Sequence, residues 1–376
     1  MKIAFLSEYS PLDRKASSGT NFKMAEQLSL LGELKWVPIK RKEIGHKLSH
    51  LLTRIAKKFG GNLVLSHTLI GRRIMYEIPP EQAFEDCDII AAFFCSPILG
   101  KLKSDRHIVY FTDATFPVMV DYYWHNLPKF NIRQGTCIEK SAMDNSAEIV
   151  VSSRWAAQSA VHDINQSPSK VNIIEFGANV DDKDILFNEK KAQGSDTLNL
   201  LFLGVDWKRK GGEIAVSAAR WLNENGIPTT LHIVGIKDLS TKYTDLPFVS
   251  NHGFLNKNNK DDFKLLHSIF SICDAEILPT LAECAGIAFA EAAAYGLPVF
   301  THDTGGTGNY VINEVNGYRL PLGSTGEDFG ERIKDSYLSG ELARMSSESR
   351  ELYRSRLNWN VWREKVGDIF KRLENR

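Results

Sequence analysis

The chain opens on a short apolar run, residues 2–6, followed by a polar stretch from Ser7 to Thr20. Phe22, Ala25, Leu28 and Leu31 then recur at three-residue spacing and drift along one helical face. Strand, loop and helix in that order are the usual opening of a parallel α/β domain. Further apolar runs predict buried strands at 88–94, 107–111, 148–152 and 171–175, with helical patterns such as 138–144 and 154–163 between them. The stretch 177–197 is polar, lacks periodicity and reads as a connection between domains. A second series follows. It comprises a strand at 198–203, a helix at 212–225, a strand at 229–234 and a helix at 261–271. Strands at 275–278, 298–301 and 317–320 come next, with a helix at 287–295 among them. Trp359, Trp362, Val366, Ile369 and Phe370 mark a final amphipathic helix. The pattern predicts two α/β domains in tandem.

Composition agrees with that expectation. The 376 residues are 43% hydrophobic and 24% charged, which excludes disordered, collagen-like and disulfide-stapled classes. Each half is long enough to bury its own core. Forty-six Lys and Arg balance 46 Asp and Glu, which excludes a globally basic nucleic-acid binder. The balance is a cancellation, however. Residues 35–73 hold ten Lys and Arg against Glu43 alone, and the rest of the chain holds 36 against 45. Cys87, Cys95, Cys137, Cys273 and Cys284 show no CxxC spacing, so neither a disulfide framework nor a metal site is expected, and a reducing cytoplasm is the simplest setting. The N-terminal apolar run is too short for a signal peptide. The longest near-apolar run, 89–99, contains Pro97 and falls well short of the roughly 20 residues needed to span a bilayer.

The stretch with the most chemistry runs from Leu278 to Ala292: a strand end, a loop with Glu283 and Gly286, then a helix carrying Glu291. Free N–H groups at such a helix start make an anion site. Eight residues at helical rise separate the two acids by about 12 Å at most. A carboxylate accepts two hydroxyl hydrogen bonds well, so the pair suits the diols at the two ends of a nucleotide-sugar. Taken alone, Glu283 reads first as a helix cap and Glu291 as a solvated residue. The run of Ala and Phe around Glu291 predicts burial, however, and a buried carboxylate needs a partner. A second cluster, Gly204-Val205-Asp206-Trp207-Lys208-Arg209-Lys210-Gly211-Gly212, lies at a strand end and helix start, where cations can neutralise a leaving diphosphate.

These residues resemble the retaining GT-B glycosyltransferases of family 4. The likeness rests on Pro279-Thr280-Leu281-Ala282-Glu283-Cys284-Ala285-Gly286 and on Glu291-Ala292-Ala293-Ala294-Tyr295-Gly296-Leu297-Pro298-Val299, which give the family's Glu-x7-Glu spacing. It continues through Thr304-Gly305-Gly306, Asn316-Gly317 and His232-Ile233-Val234-Gly235, covers the C-terminal half and extends more faintly into the N-terminal half. The resemblance implies a GT-B fold, two Rossmann-like α/β domains facing across a cleft. It implies an acceptor-binding domain at 1–178, a donor-binding domain at 179–356 and a C-terminal helix, 357–376, that crosses back to the first domain. Glu283 would hold the donor sugar and Glu291 the ribose, with Cys284, Ala285, Gly286 and Ile287 meeting the sugar or diphosphate through the backbone.

Lys210 and Gly211 fit the family's cationic loop, but Val205 stands where relatives carry Arg. Arg209 either supplies the missing charge or decorates the surface. Gly19, in Ala16-Ser17-Ser18-Gly19-Thr20, matches the family's Gly-Gly loop near the diphosphate, with Ser18 in place of the first Gly. Asp113 follows a strand and either contacts acceptor or sugar or caps a turn. Phe254 and Leu255, after Asn251-His252-Gly253, resemble the family's base-binding loop, whose alternative is a plain strand-to-loop turn. Gly305-Gly306-Thr307-Gly308-Asn309 is not a dinucleotide fingerprint, because Val311 stands where the third Gly belongs.

Within the basic segment, Leu48, Leu51, Leu52 and Ile55 recur at helical spacing among Lys40, Arg41, Lys42, Lys47, Arg54, Lys57 and Lys58. Such a helix lies on an anionic membrane, grips a phosphate-bearing acceptor, or turns its apolar stripe to the core with its charges solvated. No aromatic stacking series accompanies the charge, which disfavours nucleic acid. The combined expectation is a retaining hexosyltransferase using a nucleoside diphosphate sugar and a glycan or lipid-linked acceptor. It would need no cofactor or metal and would be cytoplasmic, with peripheral contact to an anionic membrane. A sugar-nucleotide epimerase or phosphorylase would share the architecture, and Val205 and Ser18 leave a non-catalytic sugar-nucleotide or membrane-surface binding protein open.

Overall fold

The computed structural model describes residues 1–14, 16–185 and 197–375. Of the polar stretch 177–197, residues 186–196 therefore lie outside the described residues. The described chain forms two compact units, Met1–Ile174 with Arg363–Arg376, and Glu175–Trp362.

The first unit contains strands β1 (Lys2–Ser7), β2 (Glu33–Pro38), β3 (Ile89–Phe93), β4 (His107–Thr112), β5 (Glu148–Val151) and β6 (Val171–Ile173). Its helices are α1 (Thr20–Ser29), α2 (Glu43–Lys58), α3 (Gly71–Met75), α4 (Ser96–Leu99), α5 (Phe116–Met119), α6 (Lys129–Asp144) and α7 (Arg154–His162). The second unit contains β7 (Leu198–Leu203), β8 (Thr229–Val234), β9 (Val249–Asn251), β10 (Ala275–Leu278), β11 (Val299–His302) and β12 (Gly317–Leu320). Its helices are α8 (Gly212–Glu224), α9 (Thr241–Thr244), α10 (Lys260–Ile272), α11 (Ile287–Ala294), α12 (Gly326–Leu338) and α13 (Glu341–Ser355). The last helix, α14 (Trp359–Glu374), begins in the second unit and passes into the first at Trp362/Arg363.

Each unit is one six-stranded sheet, ordered β2-β1-β3-β4-β5-β6 and β12-β11-β10-β7-β8-β9, and every strand pair is parallel. Helices cover both faces of a parallel sheet, so its central strands read as continuous apolar runs. β3 is buried along its whole length, with Ile3 of β1 opposite Ile89 and Phe93 opposite Phe111 of β4. Ala4, Leu6, Ile90, Ala92, Ile108, Tyr110, Ile149 and Val151 form the core beneath one face of the first sheet. The strand order reverses beside β1 in one sheet and beside β7 in the other. Loops leaving the carboxyl ends there diverge to opposite faces and leave room for a ligand.

The structure adds elements that the apolar pattern does not predict. β2 is an edge strand ending in Pro38, and its Glu33 and Pro38 are exposed, so no apolar run announces it. β9 is a three-residue edge strand. Helix α6 begins at Lys129, nine residues before the predicted start at 138, because its first turns are polar and bury Asn131 and Gly135 against their neighbours. Residues 175–178 belong with the second unit. The Ala178 N–H donates to the Leu357 carbonyl at 3.0 Å and Trp359 Nε1–H to Asn179 Oδ1 at 3.0 Å.

Candidate functional site

The second unit assembles its chemistry where β7 and β10 end. The loop after β7 turns through Gly204 to Gly211, which caps α8 in the left-handed region with φ +74°. A Cβ at Gly211 would lie 2.2 Å from the Pro279 carbonyl oxygen, so only glycine brings this loop against the loop after β10. That approach sets Lys210 beside Glu283. The Lys210 Nζ is hydrogen-bonded to Glu283 Oε2, and both side chains are about nine-tenths buried. Arg209 braces the same junction. Its Nη1–H donates to the Ala282 carbonyl at 2.9 Å, its Nε lies 3.4 Å from Asp206 Oδ2, and its own carbonyl accepts from Leu281 N–H at 2.7 Å. From the other side, the Gly306 N–H donates to the Glu283 carbonyl at 2.9 Å. Val205, where the resemblance leads one to expect Arg, is a solvent-exposed residue of this loop.

Past Glu283, Cys284 and Ala285 are buried and Gly286 caps α11. The first turn of α11, from Ile287, leaves N–H groups without intrahelical partners. Glu291 is the fifth residue of that helix and 2% exposed. Its partner is Lys257, whose Nζ is hydrogen-bonded to Glu291 Oε1. Lys257 lies two residues past Leu255, so its ion pair draws the loop carrying Phe254 and Leu255 to α11. Phe254 itself is exposed. Lys210, Arg209, Glu283, Cys284–Ile287, Glu291 and the 254–255 loop therefore belong to one neighbourhood. Asn309 looks elsewhere: its Nδ2 donates to Glu175 Oε1 at 2.8 Å, and Arg356 holds both Glu175, at 3.5 Å, and the Asn309 carbonyl.

Glu276, in the middle of β10, has no counterpart among the candidates read from sequence. It is fully buried, and both carboxyl oxygens lack hydrogen-bond partners among the described residues. Burial pushes its pKa up to about 8. Lys210 opposes that rise, and the charges of Glu291 and Glu283 add to it. A neutral carboxylic acid thus underlies the Lys210–Glu283 pair at pH 7. The signal was a charged residue inside an apolar strand, Ala275-Glu276-Ile277-Leu278. Lys257 gave no comparable signal, since it sits in a polar loop among asparagines. Within β8, His232 stacks on His252 with ring centroids 5.3 Å apart, and burial, with the neighbouring His252, holds its pKa down to about 4. No group of three or more His, Cys, Asp or Glu among the described residues could hold a metal ion.

The remaining candidates lie in the first unit. Ser17, Ser18 and Gly19 take consecutive left-handed conformations, with φ 50°, 58° and 94°, before Thr20 opens α1. A left-handed Ser costs about 1–2 kcal/mol, and strain of this kind collects where a backbone must approach a ligand. Asp113 is half-buried just past the end of β4. Lys40, Arg41, Lys42, Lys47, Arg54, Lys57 and Lys58 are all exposed, and Arg41 is paired with Glu8. Helix α2 buries only Gly45, and Leu48, Leu51 and Ile55 of its apolar stripe are 37%, 53% and 43% exposed. Leu52 is half-buried, and no residue of the stripe is fully buried. No helix among the described residues is long and apolar enough to cross a membrane.

Known proteins share the sequence pattern of the second unit and the fold. The sequence model for glycosyl transferases group 1 matches residues 183–351. A curated relative, an uncharacterized glycosyltransferase of Methanocaldococcus jannaschii, is 23% identical over 245 residues, covering 65% of this chain and 65%, just under two thirds, of that protein. Sucrose-phosphate synthase from Thermosynechococcus elongatus superposes with a TM-score of 0.70 at 16% identity, covering 99% of this chain and 98% of that one. WaaG, a glycosyltransferase involved in lipopolysaccharide biosynthesis, superposes with 0.62 at 17% identity, covering 98% and 99%. HepE of Anabaena, in complex with UDP, superposes with 0.63 at 15% identity, covering 99% and 100%. The fold is GT-B, and residues 183–351 are a glycosyltransferase domain.

Proposed function

We propose that this glycosyltransferase moves a hexose from a nucleoside diphosphate sugar to a glycan or lipid-linked acceptor, with retention of configuration, in the manner of family 4. The observation that carries the reading is the buried Lys210–Glu283 pair, braced by Arg209 and Gly306 beside the start of α11. Glu283 accepts hydrogen bonds from hydroxyls of the donor sugar, and Lys210 meets the charge that develops on the leaving diphosphate. Backbone groups of Cys284–Ile287 line the same path. Glu291 takes the ribose hydroxyls, held in place by Lys257, and Phe254 and Leu255 flank the base. Arg209 acts chiefly by fixing the loop of Ala282, since its guanidinium is already engaged there. The first unit receives the acceptor, and its Asp113 contacts acceptor or sugar.

We infer that Lys210 supplies the positive charge that the leaving diphosphate calls for, so that transfer needs no metal. HepE has also been solved with UDP-glucose, which makes UDP-sugars the first donors to test. Protection against thermal unfolding over UDP-, GDP- and ADP-sugars is expected to single out one base, with a shift growing as RT ln(1 + [L]/Kd) and unchanged by EDTA. Protection by no nucleotide-sugar, or its loss with EDTA, refutes the donor site or its metal independence respectively. Detection of a new glycoside with acceptor present, and not an epimerised or phosphorolysed sugar, separates transfer from the alternatives on the same fold.

For α2 we propose peripheral contact with an anionic membrane. The support is an exposed leucine stripe flanked by Lys47, Arg54, Lys57 and Lys58. The protein is expected to sediment with vesicles containing phosphatidylglycerol, to release as salt rises, and to stay free with phosphatidylcholine alone. Sedimentation indifferent to lipid charge and to salt refutes the contact.

A further inference from the structure

The first unit holds a cavity of about 490 Å³ whose wall includes Lys42, Arg72, Arg73, Tyr76, Glu77 and Lys101. It is framed by short backbone pairings. Lys42 N–H donates to the Met75 carbonyl at 2.8 Å, Glu77 N–H to the Lys40 carbonyl at 3.0 Å, and Arg41 bridges Tyr76 antiparallel. Lys42 Nζ adds a bond to the Arg73 carbonyl at 3.2 Å. Helix α4 supplies the facing side, ending just before Lys101. Four cations therefore share one cavity with a single carboxylate.

None of the four forms an ion pair with a carboxylate among the described residues. The exposed Arg73 and Lys101 have water for company, but Arg72 is only 8% exposed, and its Nη1 is buried without a hydrogen-bond partner among the described residues. A buried donor left unsatisfied is costly, the more so when charged. The like charge of Arg73 adds to the cost, and Arg72 responds with a pKa held below the usual guanidinium range, by burial first and by Arg73 second. A planar guanidinium with free donors matches the oxygens of a phosphate bidentately, which a lysine ammonium does not.

We propose that this cavity binds a phosphate group, with Arg72 as the bidentate donor and Lys42, Arg73 and Lys101 balancing its charge. We assign that phosphate to the acceptor, and this assignment alone rests on the proposed transfer reaction. The acceptor class is thereby narrowed to phosphorylated glycans or phospholipid-linked sugars, whose shared chemistry is a phosphate ester or diphosphate.

Titration calorimetry of the full chain with inorganic pyrophosphate tests the cavity. Arg72→Gln is expected to weaken binding tenfold or more, and Lys101→Gln, a change at an exposed position that leaves folding intact, several-fold. Lys210→Gln, in the donor site, serves as the control and is expected to retain the Arg72-dependent component. Affinity unchanged in both cavity variants, or lost only in Lys210→Gln, overturns the proposal. Vesicles of phosphatidylcholine with and without phosphatidic acid separate the two sources of the phosphate. Arg72-dependent binding to phosphatidic acid assigns the cavity to a lipid headgroup, and binding of pyrophosphate alone assigns it to a soluble ester. If Arg72→Gln loses pyrophosphate but transfers equally well to phosphorylated and unphosphorylated acceptors, the cavity stands and its link to the acceptor falls. Donor protection in the thermal screen, measured on the same variant, reports separately on the transfer reading.

Discussion

Glu283→Gln is expected to lower turnover by at least two to three orders of magnitude and to destabilise the protein by about 3–5 kcal/mol. The two effects have different causes. Lys210 and Glu283 are both about nine-tenths buried, so removing one charge strands the other in a poorly solvated place. On the proposed transfer, the loss in rate comes from removing the carboxylate assigned to hold the donor sugar while its bond to the diphosphate breaks. A double variant separates them. Lys210→Met with Glu283→Gln replaces the pair by neutral groups of similar volume, and stability is expected to return to within about 1–2 kcal/mol of the wild type. Turnover should stay as low as in the single variants, because the diphosphate has lost its cation as well. Urea unfolding gives the first quantity and steady-state transfer from the donor found in the thermal screen gives the second. Turnover within tenfold of wild type in Glu283→Gln removes that residue from the reaction.

How much of this was legible in the sequence follows from what each signal depends on. Central strands of a parallel sheet are buried on both faces, so β3, β7, β8 and β10 stand out as apolar runs, and β8, β10 and β12 begin and end where the pattern places them. Strands β2 and β9 keep most of their residues exposed or half-buried, so they leave little trace in the apolar pattern, whereas β12, also an edge strand, does not escape it. Helices α12 and α13 lie in a stretch where the apolar pattern predicts nothing between 320 and 359. The capping box of Thr325 and Asp328 was the local signal for α12. In the site, the burial of Glu291 was readable from its alanine neighbours, and so was its need for a partner. That the partner is Lys257 was not, because the loop is brought to α11 only by the fold. The contact of Lys210 with Glu283 spans 73 residues of sequence and depends on the close approach of Gly211 to Pro279, which no local spacing encodes. Arg72 was visible as one cation among ten, and only its burial distinguishes it.

Stability is expected to fall by about 2 kcal/mol between pH 6.5 and 8, a reversal of the usual gain that carboxylates give as they ionise. Two buried acids are responsible. Burial raises Glu276 to about 8 and Glu139, which accepts from Tyr110 Oη–H at 3.2 Å, to about 7, from an ordinary value of 4.5. Between its unfolded and folded values each is protonated only in the folded chain, so the folded state binds more protons. Its contribution is full below pH 4.5 and is lost as pH rises, at about 1.4 kcal/mol per pH unit. His67 and His232 work the other way. Burial lowers both to about 4 from 6.5, so the unfolded chain binds the extra protons and stability rises with pH across that window. Burial also lowers His46, His252 and His267, so up to about pH 6.5 the rising terms offset the two falling ones. Above 6.5 the rise from the histidines tails off, and the two acids dominate. Glu276→Gln carries no such term. Its stability relative to wild type is expected to improve by about 2–3 kcal/mol from pH 6 to pH 8, read as urea midpoints of both proteins at each pH. Parallel pH profiles would show that Glu276 ionises in the folded state at an ordinary value. The same titration reaches the donor site. An ionised Glu276 sets a new negative charge near Lys210 and Glu283, the proposed place of the diphosphate, so on that proposal donor affinity should weaken above pH 8 in the wild type and hold in Glu276→Gln.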